Sequence, residues 1–116
     1  MVQYFQNKKG KDGEQVKKFL EEAAIVTNEA IIPEVWKMVF QAPQIAAEAK
    51  PGQFVNVQKT EGKTFLRRPF GIVDADTAAG TVTIIYRLVG KGTHEMAAMK
   101  PGETISVEGP LGEGVF

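Results

Sequence analysis

The stretch Thr81-Val82-Thr83-Ile84-Ile85-Tyr86-Arg87-Leu88-Val89 sends Val82, Ile84, Tyr86 and Leu88 to one side and Thr83, Ile85, Arg87 and Val89 to the other. Successive side chains of an extended chain point to opposite faces, so this alternation predicts a strand over 81–89 with one apolar face. Working outward, β-prone runs follow the same pattern at 23–27, 35–41, 54–58, 70–73 and 104–108. Trp36, Met38 and Phe40 share the expected core face of the second of these. Residues 28–33 read as a turn region, Pro43 as a strand stop and 45–49 as a single helical turn. Residues 93–99 read as a short helix, with Thr93 as N-cap and Glu95 placed well for the helix dipole. Lys-Pro-Gly occurs at 50–52 and again at 100–102, each time ahead of a strand. Proline fixes φ and glycine accepts φ > 0, which suits positions i+1 and i+2 of a type II turn. Six short strands between turn signals predict an all-β antiparallel barrel or sandwich, not a βαβ fold.

Length and composition narrow the function. A chain of 116 residues has room for one domain, and 43% hydrophobic residues suffice for its core. Fourteen basic side chains balance fourteen acidic ones, which disfavours a general nucleic-acid binder that must displace counterions. With no cysteine, thiolate zinc sites, iron–sulfur clusters and cysteine nucleophiles are excluded within these residues. His94 and Ser106 are the only histidine and serine, and Ser106 sits in a strand pattern, so neither a catalytic triad nor a metal site is expected. Any redox or group-transfer chemistry must then come from a bound organic cofactor. No apolar run reaches the roughly 18 residues of a membrane span, and the N-terminal residues lack a signal-peptide core. The expectation is a cytoplasmic protein with no membrane partner. Residues 1–16 look separate: five lysines against Asp12 and Glu14 over 1–18, without apolar periodicity, suggest a flexible N-terminal extension ahead of a domain at 17–116.

Two places could carry binding chemistry. Arg67-Arg68-Pro69-Phe70-Gly71 joins two guanidinium groups to a rigid proline, an aromatic ring and a glycine. Arginine forks onto phosphate, an aromatic stacks on a ring system, and glycine lets a ligand approach the backbone. The same residues also suit a plain strand entry with two solvated arginines, and both readings stand. Gly90-Lys91-Gly92-Thr93 could present backbone N–H groups to a phosphate. Its spacing fits neither a P-loop nor the three-glycine dinucleotide fingerprint, so alone it describes a glycine-rich turn before a capped helix. His94 is expected exposed at the first helical position, and the pairs Glu21-Glu22 and Asp74/Asp76 are expected solvated.

Together, NEAIIPEVWKMVFQAP (28–43), AKPGQFVNV (49–57), FLRRPFGI (65–72), TVTIIYRLVGKGT (81–93) and ISVEGPLGEGVF (105–116) follow an order that resembles the ferredoxin–NADP reductase superfamily. The likeness is greatest to the electron-transfer subunits of dihydroorotate dehydrogenase. The resemblance implies a six-stranded antiparallel Greek-key barrel with one short helix, binding FAD on its outer surface. It implies that Arg68 faces the pyrophosphate while Pro69, Phe70 and Gly71 line the isoalloxazine and ribityl chain. Ile85, Tyr86 and Arg87 would flank the flavin and adenosine, and Gly92 and Thr93 would hold phosphate. Gly71 stands where many relatives carry serine or threonine, so a hydrogen bond to flavin N5 would have to come from backbone. A nicotinamide-nucleotide domain and a four-cysteine [2Fe–2S] segment, which the resemblance places after such a barrel, are absent from these residues. The implied role is to pass electrons between a nicotinamide nucleotide and a partner redox centre, as in dihydroorotate oxidation in pyrimidine biosynthesis. An NAD(P)-binding domain or a catalytic subunit would be the partner, and the chain alone would be catalytically incomplete. The alternative is a flavin-free barrel serving assembly or binding, for which a homodimer is expected.

Overall fold

The computed structural model describes the backbone of residues 2–9, 15–59 and 67–112, and the side chains of 18–58 and 67–112. Residues 10–14 of the expected N-terminal extension, Phe65 and Leu66 of the arginine segment, and 113–116 lie outside the described residues.

Among the described residues seven strands and two helices follow in order: β1 (Val2–Lys9), β2 (Gln15–Ile32), β3 (Val35–Gln41), α1 (Pro43–Glu48), β4 (Phe54–Lys59), β5 (Arg68–Asp76), β6 (Thr81–Arg87), α2 (Lys91–Ala97) and β7 (Thr104–Leu111). Each of β2, β3, β6, β5, β4 and β7 pairs antiparallel with the next, and β7 pairs back onto β2, closing a six-stranded barrel. In this ring β4, β5 and β6 form a meander and β7 returns beside β4, which is the Greek-key arrangement. Outside the ring, β1 lies antiparallel to the first half of β2, from Val2 opposite Glu21 to Lys9 opposite Gln15. The segment set apart as a lead-in thus contributes a seventh strand over Val2–Lys9.

The alternation of 81–89 decides the interior as expected. Val82 and Ile84 are fully buried and Tyr86 nearly so, while Ile85 and Arg87 face out. Met38 and Phe40 meet them from β3, in register opposite Ile84 and Val82. Both Lys-Pro-Gly phrases make the predicted turn: Gly52 and Gly102 have φ of 88° and 95°, and N–H groups of Gln53 and Glu103 donate to the Lys50 and Lys100 carbonyls. The Gln53 and Glu103 side chains then accept the Lys50 and Lys100 N–H groups at 2.8 Å in each case.

Three expectations are corrected. Residues 28–33 are not a turn region: β2 runs to Ile32, which pairs with Val35, and only Pro33 and Glu34 make the turn, with Glu34 at φ 69°. Pairing with β3 and the β-branched Ile31 and Ile32 outweigh the turn preference of Asn28. Two short helices form where the fold expectation counted one, because 43–48 completes a helix that begins with proline at its first turn. Glu21 is buried, not solvated, and its Oε2 accepts the N–H of Ile45 at 2.8 Å at the start of α1.

Candidate functional site

Two of the three binding candidates meet, and the third follows directly along the chain from one of them. Arg68 to Gly71 open β5, Ile85 to Arg87 close β6, and Gly90 to Thr93 carry the chain into α2. Because β5 and β6 are antiparallel neighbours, the start of one lies beside the end of the other. Ring centroids of Phe70 and Tyr86 stand 5.9 Å apart at 67°, an edge-to-face contact that aromatic quadrupoles favour.

The two adjacent arginines stand in different surroundings. Arg67 reaches across β4 and β7: its Nη2 donates to Ser106 Oγ at 3.0 Å and Gln58 Oε1 at 3.4 Å, and its Nη1 to the carbonyls of Asn56 and Ser106 at 3.5 and 3.4 Å. Arg68, next along β5, is exposed together with Pro69 and Gly71, while Phe70 is half-buried against the core. A methyl group placed on Gly71 would meet nothing within 4 Å, so the surface beside it is open. Ile85 is 41% exposed, an apolar side chain standing free beside the exposed Arg87.

Tyr86 points inward. Its ring supports Phe70 from within the barrel and its hydroxyl donates to Asn28 Oδ1 at 2.7 Å. Burial pushes the phenol up to about 12, with the Asn28 contact pulling slightly the other way. Asn28 in turn donates from Nδ2 to the carbonyls of Met96 and Met99 at 2.8 and 2.9 Å. Sequence reasoning missed Asn28 by assigning it to a turn.

The loop into α2 is held by side chains. Gly90 takes φ 121° and ψ −178°, a region open in practice to glycine alone, and it stands as the N-cap. Thr93, expected as the cap, lies three residues later and is buried. Its Oγ1 accepts the Val89 N–H at 2.7 Å and donates to the Gly90 carbonyl at 3.2 Å. His94 is exposed as expected but sits at the middle of the helix, not at its first position, with Nδ1 2.7 Å from the Gly90 carbonyl. Gly92 is buried beside Thr93.

These residues fit a dinucleotide with a flat ring. They offer an open floor at Gly71, a half-buried aromatic at Phe70, exposed guanidinium groups at Arg68 and Arg87, and a glycine-shaped loop at 90–93. Among the described residues no cluster of His, Cys, Asp or Glu could hold a metal ion, and no helix is long and apolar enough to cross a membrane.

Comparison with known proteins agrees. Two curated relatives, from Fusobacterium nucleatum and Desulforamulus reducens, are both named dihydroorotate dehydrogenase B (NAD(+)), electron transfer subunit. The first is 41% identical over 96 residues, 82% of this chain and 37% of the relative; the second is 38% identical over 94 residues, 80% and 36%. The chain therefore spans little more than a third of their length. Among solved structures, an NADH-dependent reduced ferredoxin-NADP oxidoreductase superimposes with a TM-score of 0.76 at 33% identity, over 83% of this chain and 34% of that one. A ferredoxin NADP+ reductase from Neisseria gonorrhoeae with bound FAD and NADP gives 0.63 at 26% identity, over 76% and 36%. The family model for the oxidoreductase FAD-binding domain matches residues 22–116. The chain belongs to that family, the FAD-binding domains of oxidoreductases.

Proposed function

We propose that this chain is the flavin-carrying barrel of an electron-transfer oxidoreductase, like the dihydroorotate dehydrogenase B electron transfer subunits it resembles. Residues 17–116 form the FAD-binding unit, and residues 1–16 stand outside it. Arg68 pairs with the pyrophosphate. Pro69, Phe70 and Gly71 line the isoalloxazine and ribityl chain, the side chains of Ile85 and Arg87 with the main chain of Tyr86 flank flavin and adenosine, and the backbone at Gly92 and Thr93 donates to phosphate. FAD supplies the two-electron and one-electron chemistry that the side chains here lack. The protein's task is to bind it, orient it and shield one face of it from water. Electrons then pass between a nicotinamide nucleotide, held by a separate NAD(P)-binding domain, and a catalytic partner subunit.

The observation that supports this reading is the contact of Phe70 at the start of β5 with Tyr86 at the end of β6, four residues ahead of the glycine turn into α2. The purified chain should keep a flavin absorption spectrum after FAD is added and the excess is removed by gel filtration. Arg68→Ala should weaken FAD by about 1–3 kcal/mol, the scale of a charge-assisted hydrogen bond. Unchanged affinity in a flavin titration would remove Arg68 from the site. A folded wild-type chain that retains no flavin would overturn the reading and favour a flavin-free assembly module.

A further inference from the structure

Asn28 lies outside the proposed cofactor contacts, yet it joins the two halves of the site. Its acceptor oxygen holds the hydroxyl of Tyr86, whose ring meets Phe70, and its amide hydrogens go to Met96, in the last turn of α2, and to Met99, two residues past it. The Met96 carbonyl also accepts the Met99 N–H at 3.1 Å, so the Asn28 amide holds the last turn of α2 and the residues just past it together. At its other end α2 begins with the glycine-containing turn from its N-cap Gly90 to Thr93. All three hydrogen bonds are 2.7 to 2.9 Å long and connect β2 with β6, with α2 and with Met99 just beyond it. Within this single side chain only one acceptor lone pair is left over.

We infer that Asn28 is a positioning residue that sets the distance between the aromatic pair Phe70–Tyr86 and the loop at Gly90 to Thr93. The inference rests on the reading of the site as an FAD site. A ligand that spans both halves needs that distance to be correct. A fragment that touches one half can follow it wherever it settles.

The test uses the full chain and three probes: FAD, riboflavin for the ring half and ADP for the pyrophosphate half. Asn28→Ala should weaken FAD about tenfold, the effect of losing one to two net hydrogen bonds from the spacing, while riboflavin and ADP keep their wild-type affinities. Equal losses for all three probes would show a merely structural residue and overturn the inference, as would unchanged FAD binding. If the alanine variant does not fold, Asn28→Asp serves. It keeps the size and the Tyr86 bond but turns a carboxylate toward the Met96 and Met99 carbonyls, so the selective loss of FAD should persist. A wild-type chain that binds no FAD overturns the site reading and this inference with it. A wild-type chain that binds FAD no better than the Asn28 variants overturns the inference alone.

Discussion

Glu21 is a carboxylate placed where the backbone of α1 needs an acceptor, and the two demands on it conflict. Burial raises its pKa, and the N–H groups of Ile45 and Gln44 lower it by less, so the folded value lies above the ordinary 4.5. For an acid raised on folding, the protonated form is the one the native state prefers. Its contribution is therefore complete below pH 4.5 and is lost as pH rises through the folded value. Glu21→Gln keeps an oxygen for the Ile45 N–H and removes the charge. The variant should gain stability relative to wild type as pH rises from 4.5 and then hold a constant difference, measured by urea unfolding across that range. An amide N–H turned toward Gln44 adds a cost that does not change with pH, so the slope is the readout. A difference independent of pH would show that Glu21 keeps its ordinary titration.

The start of α2 depends on one hydroxyl. Thr93 Oγ1 is the acceptor for the Val89 N–H and a donor to Gly90, in a loop whose glycine already occupies a conformation other residues avoid. Thr93→Val keeps shape and volume and leaves that N–H without its partner. It should cost about 1–3 kcal/mol of stability in denaturant unfolding, and Thr93→Ser should recover most of it. Equal stability of the valine variant would mean that backbone alone holds the loop. At this scale the sequence was largely readable, and the failures have physical causes. The strict alternation of β6 and the two Pro-Gly turns are local signals, and both survive in the fold. Asn28 is different. Ile25 lies opposite Phe40 but Thr27 lies opposite Val39, so Val26 is an extra residue and the faces of β2 exchange there. Counting alternate residues from Ala23 and Ile25 would turn Thr27 inward, whereas the bulge turns Asn28 toward Tyr86. A bulge is decided by the partner strand, which one strand's pattern does not contain. The arginine pair left two readings open in the sequence, and what separates the bonded Arg67 from the exposed Arg68 depends on β7, roughly forty residues away in the chain.

Closure of the barrel depends on how closely β7 can approach β4 while also pairing with β2. Gly109 lies opposite Phe19 of β2, and on the β4 side it occupies the stretch where the register shifts between Phe54 and Asn56. A Cβ at this position would come within 2.9 Å of Val55 Cγ1 and 3.3 Å of the Phe54 carbonyl oxygen. Val55 is fully buried and β-branched, so it has little rotamer freedom with which to withdraw, and the carbonyl belongs to the backbone. Gly109→Ala should therefore cost about 1–3 kcal/mol, the scale of overpacking in a filled core. The cost should appear as a lower midpoint in urea, with an unchanged slope if the barrel still closes. Val55→Ala removes the methyl group in conflict and leaves a cavity of its own, so alone it also destabilises. Combined, the two substitutions should cost less than the sum of their separate effects, because the added methyl fills space that the valine vacates. Simple additivity would place the origin of the glycine effect elsewhere than the β4–β7 approach. The site at the β5–β6 end shares β4 with that closure, since Phe54 pairs with Gly71 and Val55 with Phe70. A barrel forced open at Gly109 should thus also lose FAD affinity, and the Val55→Ala partner should restore part of it.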